Sequence, residues 1–454
     1  MEAPFPFEAI LAFGTMSVML LIGIFLRAKV RFFQRFLFPS CLIGGILGWL
    51  LISLKVINVS TDILETFAYH FFIISFISVG LTYDDTPQEP GATRKVLGGA
   101  WWMALIEGIT VPIQLLIGSA IVGIFLLFGK ELFPTFGFLV PIGFTEGPGQ
   151  ALAFGKVWET DFGFAHAATI GLTFAAVGYL FAFFAGVPLV NWGIRRGLSS
   201  TTSGTLPDDV IKGIVPKDQE KESAGQLTLH SGNVDTLAFH AALIGLVYVL
   251  TYFFVKMLAA LIGPQAGPIS WGFCFFYGMF IALILRTIMK KLGIRHLINP
   301  GVQRRITGWS VDFLIVATVM AIQAVVVWEY ILPISLMCIF SWVATLWSIL
   351  YLGRRLDRLG FERAVAIYGT CTGTVSTGLL LLRIADPEFK SPVAFELALM
   401  NVMAIPFIAT YMVLMNAPLW WHWSLGFTCL VYFGFMVLCL VMIKLFRFWG
   451  KPKF

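Results

Sequence analysis

Apolar runs of membrane length follow one another along almost the whole chain, separated by short polar loops. A membrane-crossing helix needs roughly 20 predominantly apolar residues. The pattern predicts spans near residues 8–26, 37–56, 65–82, 97–128 and 165–194, and again near 236–257, 268–288, 309–328, 330–352, 393–415 and 418–446. Two further apolar stretches, about 134–158 and about 361–385, are interrupted. The first holds Gly143-Phe-Thr-Glu-Gly147-Pro-Gly-Gln150, the second Gly369-Thr-Cys-Thr-Gly373-Thr-Val-Ser376-Thr377. Such backbone is tolerated at membrane depth only where it lines a cavity or packs inside protein. A matched pair of interrupted segments in two halves is the pattern of a secondary transporter's binding site. Each is therefore expected to be a re-entrant hairpin. The 97–128 stretch would be about 48 Å long as one helix, more than the ~30 Å hydrocarbon core, so a break is expected at Gly108 and Pro112.

Charge fixes the expected orientation. With the N-terminus outside, the inner loops receive Arg27, Lys29, Arg31 and Arg35, then Arg94 and Lys95, then Arg195 and Arg196. Later inner loops receive Lys290, Lys291, Arg295, Arg304 and Arg305, then Arg354, Arg355, Arg358 and Arg363, and the tail carries Lys451 and Lys453. The outer side keeps only Lys55, Lys130, Lys156 and Lys256. This bias follows the positive-inside rule, and it holds only if neither interrupted segment crosses. The expected fold is therefore an all-α polytopic membrane protein of two inverted-topology repeats, each with five transmembrane helices and one re-entrant hairpin. Residues 1–194 form the first unit, 195–235 a flexible cytoplasmic linker, 236–415 the second unit, and 416–454 an extra transmembrane helix with a basic, cytoplasmic tail.

Composition narrows the class. The chain is 58% hydrophobic and 12% charged, with mean hydropathy +0.86, whereas soluble domains carry about 25% charge. The net charge of +6 is spread over loops beside spans, so nucleic acid is not an expected partner. Six cysteines lie in apolar segments without a CxxC pair, which indicates neither a zinc site nor a disulfide framework. No phosphate-binding loop, HExxH or nucleophile elbow stands in a supporting context. No enzyme and no cofactor are expected.

The chemistry gathers at the interruptions. A helix N-terminus at a hairpin tip offers unpaired N–H groups and positive partial charge to a carboxylate. A helix C-terminus and unwound carbonyls suit Na⁺. Substrate contacts are expected from Glu146, Gly147, Gly149, Gln150, Gly373, Thr374, Ser376, Thr377 and Arg383, and Na⁺ contacts from Thr145, Glu146, Thr370 and Thr372. For the threonines, bonding back to local carbonyls is the competing reading. Other intramembrane charges receive quieter roles: Glu107 satisfying the broken helix, Asp312 near a span start, Glu396 interfacial, and Arg383 alternatively paired with Asp386. Trp101, Trp102, Trp328, Trp420, Trp421 and Trp423 are assigned to an interfacial belt.

The residues carry a family likeness. Phe38-Pro-Ser-Cys-Leu-Ile-Gly44-Gly45 opens the second span and Phe76-Ile-Ser-Val-Gly80-Leu81 ends the third. Glu146-Gly147-Pro-Gly149-Gln-Ala-Leu-Ala153 is followed by Phe162-Gly163-Phe164, and Gly373-Thr-Val-Ser-Thr377 by Asp386-Pro-Glu-Phe-Lys-Ser-Pro392. In these motifs, over roughly residues 8–415, the chain resembles the bacterial glutamate:sodium symporter family. The resemblance implies sodium-coupled import of glutamate or a related amino or dicarboxylic acid, Na⁺ as coupling ion, and a homodimer whose transport unit moves against a scaffold in the inner membrane. It matches Gly147, Gly149 and Ala153 to the first tip and Gly373 and Thr377 to the second. Here the second tip is threonine-rich, Glu146 replaces a glycine, Arg383 replaces a neutral polar residue, and the last span has no counterpart. A proton-coupled carrier or exporter of another organic acid, using Glu146 and His166, is the alternative within transport. A channel or a substrate-sensing receptor is the alternative outside it.

Overall fold

Helices form where the apolar runs predict them, and capping residues set their ends. The computed structural model describes residues 6–82, 93–199, 208–218, 221, 223–263, 267–356, 359–386 and 391–453. Arg358, residues 387–390 of the last motif and parts of the 195–235 linker lie outside the described residues. The first half comprises α1 (Glu8–Lys29), α2 (Ser40–Ser53), α3 (Thr61–Leu81), α4 (Thr93–Leu127), α5 (Leu139–Phe144), α6 (Pro148–Phe162) and α7 (Ala167–Arg195). The second comprises α8 (Thr236–Ile262), α9 (Cys274–Lys291), α10 (Pro300–Met320), α11 (Ile331–Gly353), α12 (Gly360–Cys371), α13 (Val375–Ala385), α14 (Val393–Met415) and α15 (Leu425–Leu445). Among the described residues there is no strand. Asp235 starts α8 by accepting from the Leu237 N–H at 2.7 Å. Asn299 starts α10 by accepting from Val302 at 3.0 Å, with Pro300 in the first turn where its missing N–H costs nothing.

Among the described residues, eight helices are long and apolar enough to cross a membrane, namely α1, α3, α4, α7, α8, α11, α14 and α15. Three expected spans fall short of that standard. α2 has only 14 residues, α9 carries Arg286, Lys290 and Lys291, and α10 carries Arg304, Arg305 and Asp312. α2 is apolar throughout and falls short in length alone, whereas Arg304 and Arg305 of α10 are exposed near its start. α10 packs along both α3 and α2, and α2 also packs against α1. α10 also begins at Pro300 rather than near residue 309, which moves Asp312 from a span start to mid-helix.

The expected break in α4 is absent, since the helix runs unbroken from Thr93 to Leu127 through Pro112. Proline lacks the N–H that would bond the carbonyl four residues back, here that of Gly108. The Tyr411 hydroxyl of α14 donates to that carbonyl at 2.7 Å. The Tyr432 hydroxyl of α15 in turn donates to the Tyr411 carbonyl at 2.6 Å. The Tyr411 side chain of one neighbouring helix thus repairs the backbone and leaves Glu107 without the role expected for it.

The helices sort into two groups by contact. α1, α2, α3, α8, α9 and α10 pack among themselves, while α4, α5, α6, α7 and α11–α15 form the other group. Fewer contacts join the groups, chiefly between α6 and α3 and between α10 and α6 or α7. The linker touches the first group: Gly225 lies against Val302 and Asn299, and the Thr236 hydroxyl accepts from the Thr228 and Leu229 N–H groups at 3.1 and 3.4 Å.

Candidate functional site

Both interrupted segments fold as helix pairs too short to cross on their own. α6, the longest limb, has 15 residues, about 22 Å against a core of ~30 Å. The limbs of the second pair double back, so that Gly369 of α12 meets Gly378 of α13. Both limbs of the first pair lie on α7, with Gly143 against the Gly171 carbonyl and Ala151 against Gly171 itself.

The two turns meet. Gly147 adopts φ +91°, a region essentially reserved for glycine. A Cβ there would stand 3.1 Å from Thr374 Cγ2 and 3.6 Å from the Gly373 carbonyl. Two residues on, a Cβ at Gly149 would run into the Phe72 ring of α3. Glycine at these two positions is what lets the first turn press on the second turn and α6 press on the other helix group.

A buried amide joins the turns to two long helices. The Gln114 Nε2 of α4 donates to the Cys371 carbonyl at 3.1 Å and to Thr345 Oγ1 of α11 at 3.0 Å. Its Oε1 accepts from Thr145 Oγ1 at 3.0 Å, and Thr145 Oγ1 also lies 3.2 Å from the Cys371 carbonyl. One turn back, Thr110 Oγ1 stands 3.3 Å from Cys371 Sγ and 3.2 Å from the Glu107 carbonyl. All of Thr110, Gln114, Thr145 and Thr345 are buried. Polar groups so placed must find partners inside the protein, and these partners bridge the first turn, the second turn, α4 and α11.

The sequence-predicted residues divide accordingly. Thr145, Glu146, Gly147, Gly149 and Gln150 lie on the first turn or the opening of α6, and Gln150 Nε2 is 3.5 Å from Glu146 Oε2. Thr370 and Thr372 end α12, and their hydroxyls donate back to the Ala366 and Tyr368 carbonyls at 3.0 and 2.7 Å. Thr374 Oγ1 and Thr377 Oγ1 are 3.5 Å apart at the start of α13. Gly373 is buried and Ser376 is exposed. Arg383 is not gathered at the turns. It stands two helical turns along α13, exposed on the same face as Ser376. His166 is exposed at the start of α7. His240 is buried, with Nδ1 bonded to the Thr236 carbonyl at 2.7 Å and Nε2 accepting from the Asn299 N–H at 2.8 Å.

Other expectations are corrected. Glu396 is fully buried rather than interfacial, and forms a two-point ion pair with Arg363, both bonds 2.7 Å. That pair ties the base of α12 to α14. Trp102 is buried inside the protein rather than in an interfacial belt. The contributions of Thr110, Gln114 and Thr345 were missed. A legible signal existed for two of them: Glu107, Thr110 and Gln114 repeat at i, i+3 and i+7, one polar stripe on an otherwise apolar helix.

Cavities lie along the seam between the two helix groups. One of about 840 Å³ is lined by Asp62, Glu65, Tyr69, His70, Lys156 and Trp271, among others. In it Lys156 of α6 bonds Glu65 of α3 at 2.7 Å. Another of about 570 Å³ is lined by Arg31, Gln34 and Arg35 of the first group and Asn191 and Ile384 of the second.

Residues 5–377, up to the second turn, match the sodium/glutamate symporter family. No curated protein matches the chain. A chain matched over most of its length, with membrane-length helices around two abutting polar turns, belongs to the sodium/glutamate symporter family, and its activity is sodium-coupled glutamate symport.

Proposed function

We propose that the protein imports glutamate by alternating access, through two inverted five-helix units whose hairpins enter the bilayer from opposite faces. The approach of Gly147 to Thr374 and Gly373 carries this reading. It brings two helix N-termini, at Pro148 and Val375, beside two helix C-termini, at Phe144 and Cys371. N-terminal N–H groups favour the substrate carboxylates, and C-terminal carbonyls favour Na⁺. One buried site thus offers complementary partial charges to both cargo components.

The packing supports the repeat. The first unit runs α1–α7 and the second α8–α14. The third spans α3 and α10 pack on each other, as do the fourth, α4 and α11. α2 packs on α10 as α9 packs on α3. These are the pairings that a two-fold relation between units demands.

In this reading α4, α7, α11, α14 and both hairpins form the moving unit, and α1–α3 with α8–α10 form the scaffold. The two cavities are the outer and inner approaches, both on the seam. Lys156 and Glu65 stand in the outer one, while Arg31 and Arg35 draw anions in the inner one. The N-terminus is outside and the tail cytoplasmic. Glu146, Gly147, Gly149, Gln150, Gly373, Thr374, Ser376 and Thr377 contact substrate, and Thr145 with carbonyls of both turns contacts Na⁺. The protein works as a homodimer in a bacterial inner membrane.

Uptake of labelled glutamate by proteoliposomes, with and without an inward Na⁺ gradient, tests the transport cycle. Accumulation that needs the gradient is expected, and binding without accumulation would indicate a receptor. Single cysteines at positions 62 and 35, labelled from one side with an impermeant reagent, test the orientation. They should react from opposite sides.

A further inference from the structure

Four tyrosines are buried among the described residues, and three of them spend their hydroxyls inside the protein. Tyr368 donates to the Phe181 carbonyl at 2.8 Å, Tyr411 to the Gly108 carbonyl at 2.7 Å and Tyr432 to the Tyr411 carbonyl at 2.6 Å. The fourth, Tyr179 of α7, is 3% exposed, and its Oη is buried without a hydrogen-bond partner. A buried phenol usually finds an acceptor, and leaving it unmet carries a desolvation cost. Phenylalanine fills the same space without that cost. The hydroxyl therefore answers to something other than folding.

Its surroundings say where. The preceding residue, Gly178, is the point at which α7 presses on both interrupted segments. A Cβ there would stand 2.6 Å from the Thr372 carbonyl oxygen and 3.2 Å from the ring of Phe144, the last residue of α5. Thr374 of the second turn is a polar neighbour of the Tyr179 hydroxyl, and Cys41 of α2 lies within its electrostatic reach. The hydroxyl thus stands beside the second turn, where α7 approaches the other helix group. Thr374 begins α13 without a side-chain cap, which leaves N–H groups of that helix's first turn open to an anion. A carboxylate accepts hydrogen bonds and donates none. It matches an unmet O–H beside open N–H groups, whereas Na⁺ offers the O–H no acceptor.

We propose that Tyr179 contacts the substrate directly, its hydroxyl donating to a carboxylate oxygen of glutamate bound at the second turn. This rests on the reading of the two turns as the transport site. It adds to that site a donor from α7, outside both turns. In the alternating-access reading α7 belongs to the moving unit, so the donor travels with the substrate it holds.

The test compares wild type with Tyr179→Phe, as the full chain in detergent and in proteoliposomes, with glutamate and Na⁺ as the probes. Without glutamate, the melting temperature of the variant should equal or exceed that of the wild type, because no hydrogen bond is lost. At saturating Na⁺, half-saturating glutamate for uptake should rise at least tenfold, the loss expected for a hydrogen bond to a charged group. The melting rise that a fixed glutamate concentration gives should shrink in parallel. At saturating glutamate, half-saturating Na⁺ should move less than about twofold. A variant that melts lower or fails to fold, with no selective loss of glutamate affinity, makes the hydroxyl structural and overturns the proposal. A rise in half-saturating Na⁺ with glutamate affinity kept makes it a cation ligand and overturns the proposal as well, as does a variant identical to the wild type. In each of these cases the turn reading stands if Gly147→Ala weakens glutamate binding, and falls if Gly147→Ala is also without effect.

Discussion

The two turns share a topology and differ in what they leave unbonded. In the second, the Thr370 and Thr372 hydroxyls donate into their own helix, so the tip is largely self-satisfied. In the first, Thr145 reaches out to Gln114, while Glu107 Oε2 and Gln150 Oε1 keep open valence. The turn with more polar residues is therefore not the one with more open valence. Hydroxyls bond to nearby backbone within helices, whereas a carboxylate accepts only and must be met by something else. The hairpins are anchored differently as well. The second is held at its base by the buried Arg363–Glu396 pair. The first is held by the partly exposed Lys156–Glu65 bond and by Trp158 Nε1, which donates to Asn416 Oδ1 at 2.8 Å.

That difference can be broken at its strongest point first. Arg363→Ala leaves Glu396 buried and uncompensated, which costs about 3–5 kcal/mol. Thermal unfolding of the purified variant should show a large drop, and limited proteolysis should open the base of α12 before α6. Gly147→Ala comes next. It places a Cβ where φ is +91° and Thr374 stands 3.1 Å away, a backbone strain of about 1–3 kcal/mol. Na⁺-driven uptake should fall at least tenfold, since 1.4 kcal/mol is a factor of about ten, while the protein still folds. Thr372→Val removes one back-bond, worth about 0.5–1.5 kcal/mol. Half-saturating Na⁺ in the uptake assay should move less than about twofold, roughly 0.4 kcal/mol. A tenfold rise would make the second tip a cation site and erase the contrast. Lys156→Met should change least. The Lys156 side chain is 45% exposed, but that of Glu65 is only 8% exposed, and both line the same cavity, so losing the pair should cost about 1 kcal/mol. A small melting drop is expected, with a further effect on glutamate uptake at low ionic strength.

Much of this was legible in the chain. The apolar runs mark α1, α3, α4, α7, α8, α11, α14 and α15, because lipid permits only long apolar helices to face it. Gly147-Pro148 marks the start of α6, since glycine alone tolerates that φ and proline suits a first helical turn. The interior was harder to read. α2 is apolar but only 14 residues long, and α9 and α10 each carry three charged residues. Pro112 looks like a break, yet Tyr411, some three hundred residues away in sequence, supplies the missing bond. Glu396 looks interfacial because nothing local shows Arg363 folding onto it.

Local sequence, then, determined the class of the protein, its membrane helices and its two polar turns, since these depend on a residue's own solvent preference and its immediate neighbours. Only the tertiary structure decided that the turns touch, that Gln114 and Thr345 bridge them, and that Glu107 is left with an unpaired oxygen. Hydrogen-bond satisfaction is a property of the packed whole: a donor is spent or free according to which distant helix lies against it.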